Sequence, residues 1–225
     1  MNAPRTIAIL LVCFSMLLAV WAYFVLPSTI VTHWGIEGEP NGLMEKLLGL
    51  SVFPILTLFI FGLFEILPSL DPLNPGFKNF RAAYDWFVAG IIAFIICIEA
   101  LTISWNLGYA FSFNLLITPL FALLLFGVGV LLGKVRRNWF VGIRTPWTIA
   151  SERNWNKTHE VGAILYMIAG YFSLLGFLFP LQAIWIVLLA AIVPAIVTLV
   201  YSYVEFRKEN ATGRSKPKSA KRKRK

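Results

Sequence analysis

The sequence predicts an all-α, polytopic membrane protein with six transmembrane helices, short outer loops and one structured cytosolic loop. Of its 225 residues, 58% are hydrophobic and only 14% are charged, whereas a soluble domain carries about 25% charge. The apolar residues fall in long runs instead of following the one-sided spacing of a buried core. Because a helix needs about 20 apolar residues to cross a bilayer, runs of this length predict membrane spans.

Six runs satisfy that length. They lie at about 7–26, 47–67, 86–104, 113–133, 161–179 and 183–204. The first run is too long for a signal peptide and lacks a small-residue cleavage motif before Pro27, so we expect it to remain as a helix. Cys13 and Cys97 lie inside spans and are expected to pack there.

The cations are confined to alternate connections. Nineteen of the 20 Lys and Arg residues lie in 1–6, 68–85, 134–160 and 205–225, and the exception is Lys46. Short loops rich in Lys and Arg stay in the cytoplasm. The distribution therefore predicts a multi-pass protein of the cell membrane with both termini cytoplasmic.

This topology divides the chain into four parts. Residues 1–133 form a four-helix half that includes an outer loop at 27–46, residues 134–160 form a cytosolic loop, and 161–204 form helices five and six. Residues 205–225 are predicted to be a disordered basic tail, since its last twelve residues include eight Lys or Arg and no apolar run. We expect the tail to attract anionic lipid, at about 1 kcal/mol per cation, in preference to nucleic acid.

The outer loop contains a short alternating segment followed by turn residues. Apolar and polar residues alternate over 30–34, which predicts an extended strand, and the Gly, Pro and Asn residues that follow predict turns. The His33-Trp34 pair and the nearby carboxylates are suited to an extracellular ligand. One His with scattered Glu residues is not a metal-site pattern, so we predict neither a metal nor a cofactor.

Glu99 lies deep in the third span, and two interpretations remain open. An intramembrane carboxyl is a functional candidate, which suggests a proton-coupled transporter or channel. Alternatively, the group is protonated and hydrogen bonded between helices, with Ser104 or Asn106 as its partner. Glu65, near the cytosolic end of the second span, is expected to be structural.

The cytosolic loop at 134–160 has the strongest local signals. Thr145 followed by Pro146 predicts a helix N-cap with proline in the first turn. Ser151 predicts a second cap, and Trp155 and His159, four residues apart, should share one face of the helix that follows. The loop is interpreted either as an aromatic helix lying on lipid or as a binding surface for a partner.

Two segments resemble a known family. The run from Asn138 to Thr148 (NWFVGIRTPWT), together with Trp155 and Thr158-His159, is similar to the signature of the SdpI family. The outer loop, with Pro27 and His33-Trp34 before Gly38, resembles a module of unknown function that often precedes that signature. We refer to residues 134–160 as the signature loop.

The resemblance implies immunity against a secreted peptide toxin, with or without signalling by binding a cytosolic regulator. The founding family member protects its cell from a toxin that collapses the proton gradient, and holds a small transcriptional repressor at the membrane. The implied partners are therefore an extracellular peptide and a repressor-like cytosolic protein. We find no HExxH, GxSxG, paired intramembrane aspartates or glycine-rich phosphate loop, and we predict no enzyme activity.

The resemblance also assigns candidate site residues. In the signature loop Arg144 would be a charge-assisted donor, and Trp147 and Trp155 would be apolar anchors for a partner. The candidate partner-binding residues are Asn138, Gly142, Arg144, Thr145, Pro146, Trp147, Trp155 and His159. The candidate outer-loop ligand contacts are Pro27, His33, Trp34 and Gly38.

Overall fold

A computed structural model describes residues 2–72, 77–109 and 111–214, with side chains to residue 211. Within these residues the chain forms seven α-helices and one β-hairpin. The elements are α1 (Ala3–Val25), β1 (Thr29–Trp34), β2 (Pro40–Glu45), α2 (Lys46–Leu70), α3 (Arg81–Asn106), α4 (Phe113–Leu132), α5 (Pro146–Ala150), α6 (Glu152–Ser173) and α7 (Ala183–Arg214). Every helix except α5 is long and apolar enough to cross a membrane, which confirms the predicted six-span, all-α fold.

The helices pack in two groups that meet where α3 contacts α4. The first group contains α1, α2 and α3, and the second contains α4, α6 and α7. Glycines bring α4 and α6 close together, because a Cβ on Gly129 would lie 2.7 Å from the Ala163 carbonyl oxygen. A Cβ on Gly170 would lie 2.8 Å from the Ala122 carbonyl oxygen. Packing therefore places α4 with α6 and α7, whereas the sequence placed it in the N-terminal half.

The α1–α3 interface carries polar contacts near the start of α1 and in its middle. Asn2 donates to the Asp85 carboxylate at 2.6 Å near the start of α1. In the middle of the two helices, the Ser15 hydroxyl donates to Glu99 Oε2 at 2.6 Å.

Asn106 binds the outer hairpin instead of Glu99. Its side-chain oxygen accepts from the Val31 amide at 2.7 Å, and its amide nitrogen donates to the Val31 carbonyl at 2.9 Å. The prediction that Ser104 or Asn106 would bind Glu99 is therefore wrong. The candidate partners came from the same helix as Glu99, whereas the observed partner, Ser15, is on α1.

Within the described residues, the cation-rich connections lie at one end of the bundle, which we call the basic end. Arg5 near the start of α1 pairs with Glu65 near the end of α2 at 2.8 Å, as expected for a structural Glu65. The Trp139 amide donates to Asp71, just beyond α2, at 3.3 Å. The opposite, hairpin end carries β1 and β2.

Lys46 is the cation at the hairpin end, and it caps α1. Its ammonium donates to the carbonyl oxygens of Tyr23 at 3.0 Å and Leu26 at 3.2 Å, and lies 4.5 Å from the centre of the Tyr23 ring. A cation at a helix C-terminus is stabilising because the last carbonyls carry partial negative charge.

The outer loop is an antiparallel hairpin. The extended segment predicted at 30–34 is confirmed by β1. The prediction of turns throughout the second half is wrong, because residues 40–45 pair with β1 as a second strand. Gly42 lies opposite His33, where a Cβ would be 2.7 Å from the His33 Cβ, so glycine here permits close pairing.

The last helix is longer than the sequence predicts. The expected disordered tail from residue 205 is wrong for 205–214, which continue α7 as helix, and 215–225 lie outside the described residues. Side-chain contacts hold this extension: the Ser151 hydroxyl donates to both oxygens of Glu209 at 3.0 and 2.8 Å. Lys157 forms an ion pair with the buried Glu205.

Candidate functional site

The first turn of the signature loop is organised by the buried side chain of Asn138. Its amide nitrogen donates to the carbonyl oxygens of Arg136 and Val141, each at 2.8 Å. Its side-chain oxygen accepts from the amides of Phe140 at 2.8 Å and Val141 at 2.6 Å. One side chain thus satisfies four backbone groups and fixes the path of residues 136–141.

Gly142 lies against a stacked aromatic pair. The rings of Trp155 and His159 are 4.0 Å apart and nearly parallel, which confirms the predicted shared face. Gly142 has a φ of +114°, and a Cβ there would overlap His159 Nε2 and approach Trp155 Cζ2 to 3.3 Å. Glycine is therefore required both by the backbone and by the space.

His159 joins the loop to α6. Its Nε2 accepts from the Ile143 amide at 3.0 Å, and its Nδ1 lies 2.8 Å from the Trp155 carbonyl oxygen. Because the Ile143 amide can only donate, Nε2 is unprotonated and Nδ1 carries the hydrogen. His159 is thus a neutral structural bridge between the loop backbone and α6.

The predicted helix caps at Thr145 and Ser151 are both confirmed. Thr145 Oγ1 accepts from the Thr148 amide at 3.1 Å, and Thr148 Oγ1 accepts from the Thr145 amide at 2.9 Å. Pro146 occupies the first turn of α5, where an amide hydrogen is not needed. Ser151 Oγ accepts from the Asn154 amide at 3.2 Å and starts α6.

Trp147 packs on α7 within the protein. Its ring centre lies 5.0 Å from that of Tyr203 and 6.5 Å from that of Phe206. The five-residue α5 is therefore held against the extension of α7. This packing is contrary to the interpretation of the loop as a helix lying on lipid.

The candidate residues of the signature loop separate into a buried set and an exposed set. Trp155 is fully buried, with its Nε1 donating to the Val135 carbonyl at 3.3 Å, so the prediction that it anchors a partner is wrong. Asn138, Thr145 and His159 are buried as well and position the backbone. Arg144 and Pro146 are exposed, and Gly142 presents its backbone to solvent.

Trp139 is the aromatic residue that the sequence did not single out. The residue is 49% exposed, and its carbonyl oxygen accepts from Arg144 Nη1 at 2.7 Å. The contact is made to the backbone of Trp139, and it joins two exposed residues of the loop.

The outer-loop candidates lie at the opposite end of the molecule. The Trp34 ring stacks on Phe113 at 3.9 Å and meets Trp105 edge-on at 6.1 Å. His33 Nδ1 lies 2.5 Å from the Asn41 side-chain oxygen, and Pro27 is exposed.

Gly38 and Ile36 connect the hairpin turn to α4. Gly38 has a φ of +88° and lies close to Asn114, whose amide donates to the Ile36 carbonyl at 2.7 Å. Asn114 and Phe113 form the first turn of α4. The hairpin therefore rests directly on the helix that leads to the signature loop.

Glu99 is apart from both sites. It is fully buried between α1 and α3, with Oε2 bound to Ser15 and Oε1 without a hydrogen-bond partner in the described residues. An unsatisfied carboxyl oxygen in such surroundings is costly if it is charged. The geometry fits the bridging carboxyl that the sequence offered as one of its two interpretations.

Comparisons with known proteins match the two segments identified from the sequence. Residues 134–202 match the SdpI/YfhL protein family, and residues 10–58 match a domain of unknown function (DUF1648). The immunity protein SdpI of Bacillus subtilis (strain 168) is 24% identical over 207 residues, which are 92% of this chain and 97% of that protein. No solved structure matches the chain. The resemblance predicted from the sequence is confirmed.

Proposed function

We propose that this chain, whose residues 134–202 match the SdpI/YfhL family and whose residues 10–58 match DUF1648, is an immunity-type membrane protein that works from both ends of its helix bundle. Its hairpin end senses a secreted peptide toxin, and its basic end signals to a cytosolic regulator. This arrangement requires the basic end to face the cell interior, as the distribution of Lys and Arg predicts.

The observation that carries the proposal is the course of α4. Its first turn supports the hairpin through Phe113 and Asn114. Its last turn leads into the signature loop at Gly133. A helix of 20 residues spans about 30 Å, so one continuous helix joins the outer hairpin to the loop.

The exposed part of the signature loop supports a binding role. The network around Asn138 and His159 holds the backbone, so Trp139 and Arg144 are presented with little freedom to lose on binding. Tryptophan and arginine are two of the residue types that most often dominate the binding energy of protein interfaces. Arg144 retains further N–H donors for a carboxylate of the partner.

A capture experiment tests the binding role. Tagged wild-type protein, Arg144→Ala and Trp139→Ala are isolated from cells exposed to a peptide toxin, and the recovered soluble proteins are compared. Arg153→Ala, an exposed cation of the same end outside this surface, is the matched control. We expect a regulator with wild type and Arg153→Ala, and its loss with the other two variants. Equal recovery from all four proteins would contradict the proposal.

A protection experiment tests the immunity role. A strain lacking the gene is challenged with peptide toxins that depolarise membranes, and survival is measured after complementation with wild type. We expect complementation to restore survival against at least one toxin. Unchanged survival of the deletion strain under every toxin would refute protection as the role of the protein.

Cysteine accessibility tests the orientation. Single cysteines at Glu152 of the basic end and Glu37 of the hairpin end are introduced into a chain without Cys13 and Cys97. An impermeant thiol reagent added to intact cells should label position 37 and not position 152. The reverse pattern would place the signature loop outside and remove the proposed regulator contact.

Glu99 favours a second candidate, a proton-coupled transporter or channel. The supporting observation is its buried Oε1, which has no hydrogen-bond partner in the described residues. If the group carries protons, Glu99→Gln should abolish flux in proteoliposomes while the protein remains folded. Absence of wild-type flux, or equal flux from both proteins, would exclude this candidate.

A further inference from the structure

We propose that the cleft between α3 and α4, together with the cationic cavity above it, binds one anionic phospholipid from the leaflet at the basic end. The acyl chain would lie in the cleft, and the phosphate would lie among Lys134, Arg136 and Arg137. The site is separate from the exposed surface formed by Trp139 and Arg144.

The cleft is a lipid-facing furrow of about 530 Å³ whose walls are apolar. Phe87, Gly90 and Leu123 are among the residues that line it. A Cβ at Gly90 would meet no atom within 4 Å, so the furrow is open at this point on α3. Its volume and its apolar walls are suited to a flexible hydrocarbon chain.

The cavity at the basic end has a volume of about 1010 Å³ and is lined by three cations. Lys134 and Arg136 are exposed, and Arg137 is half-buried and donates to the Ile149 carbonyl at 3.3 Å. Glu152 is the carboxylate that lines the same cavity, which leaves an excess of two positive charges. Within the described residues none of the three cations forms an ion pair.

The cleft and the cavity adjoin at Ala83, which lines both. Trp86, on the wall of the cleft, is 56% exposed, and such rings favour the headgroup zone of a bilayer. A cationic pocket that opens between two membrane helices is the arrangement that recognises anionic headgroups. A free phosphate would leave the furrow empty, and a zwitterionic lipid would leave the two excess charges unpaired.

Native mass spectrometry of the purified full-length protein tests the site. The protein is titrated with phosphatidylglycerol or phosphatidylcholine of the same acyl chains, and bound lipid is counted. Lys134→Gln/Arg136→Gln should bind phosphatidylglycerol about 25-fold more weakly than wild type at low salt, because each cation contributes about fivefold. Gly90→Leu should fill the furrow and also lose the lipid.

Matched variants control for charge and for folding. Arg153→Gln removes an exposed cation outside the cavity, and Gly62→Leu adds the same side chain to α2 where a Cβ meets no atom within 4 Å. Both should bind phosphatidylglycerol as wild type does. If the double variant does not fold, Gly90→Leu against Gly62→Leu decides the question.

Four results would overturn the proposal. They are equal binding of the two lipids by wild type, undiminished binding by Gly90→Leu, displacement of the lipid by glycerol phosphate, and loss of a protein dimer in Gly90→Leu with lipid binding unchanged. The third would indicate a free-phosphate site, and the fourth would indicate that a second copy of the chain occupies the cleft.

Discussion

Replacement of Gly142 by alanine tests whether the signature loop depends on its contact with α6. At a φ of +114° a residue with a Cβ costs roughly 1–2 kcal/mol in backbone strain. The new Cβ would also overlap His159 Nε2, so the ring must move away from the Ile143 amide. Loss of that acceptor leaves a part-buried donor unpaired, at a cost of about 1–3 kcal/mol. We therefore expect Gly142→Ala to lower the free energy of unfolding by roughly 2–5 kcal/mol.

The measurement is unfolding of the purified protein in mixed micelles, with a denaturing detergent as titrant and tryptophan fluorescence as signal. Gly108→Ala is the matched control, since Gly108 has a φ of +94° but a Cβ there would meet nothing within 4 Å. Gly108→Ala should lower the free energy of unfolding by the backbone strain alone, about 1–2 kcal/mol. If Gly142→Ala is no less stable than Gly108→Ala, the contact with His159 does not hold the loop.

Three further predictions concern stability in the same assay. Asn138→Ala removes four hydrogen bonds and should lower the free energy of unfolding by roughly 2–4 kcal/mol. A decrease below about 1 kcal/mol would show that the turn at 136–141 is stable without the Asn138 side chain. Gly170→Val should cost about 1–3 kcal/mol because its side chain meets the α4 backbone, whereas Gly62→Val faces open space and should be near neutral. Ser15→Ala should cost only about 0.6–1.7 kcal/mol, the range of hydrogen bonds between membrane helices. A loss well above this range would mean that Glu99 needs Ser15 for more than one bond.

Local chemistry accounts for the parts of the fold that the sequence predicts well. The spans follow from the length of the apolar runs, because the bilayer imposes that length on any helix that crosses it. The caps at Thr145 and Ser151 follow from side chains that bond to their own backbone a few residues on. These features need no knowledge of which helices become neighbours.

The features that the sequence missed depend on which helices meet. The spacing of Trp155 and His159 shows that they share a face, but the direction of that face is decided by contacts with Gly142 and Val135. Nothing near Glu99 in the sequence points to Ser15, which is 84 positions away. Strand β2 likewise forms because β1 is beside it, despite a composition that is typical of turns.

The extension of α7 shows the same dependence. A basic, polar composition favours disorder when a segment stands alone. Here Ser151 and Lys157 supply partners for Glu209 and Glu205, and the segment continues as helix. Acidic residues within a basic stretch were the available signal that the segment has neighbours.

The capping of α1 by Lys46 has a consequence for how solutes approach the hairpin end. The ammonium is directed at two carbonyl oxygens and an aromatic ring, so the partial negative charge of the helix terminus offsets part of its charge. Glu37 and Glu39 on the hairpin are exposed, and the outer loop at 27–46 contains no Lys or Arg besides Lys46. The resulting negative potential speeds the arrival of cationic solutes and repels anionic ones. Because such a field is screened over about 10 Å at 0.1 M salt, the arrival rate should fall as ionic strength rises, while the bound contacts stay the same.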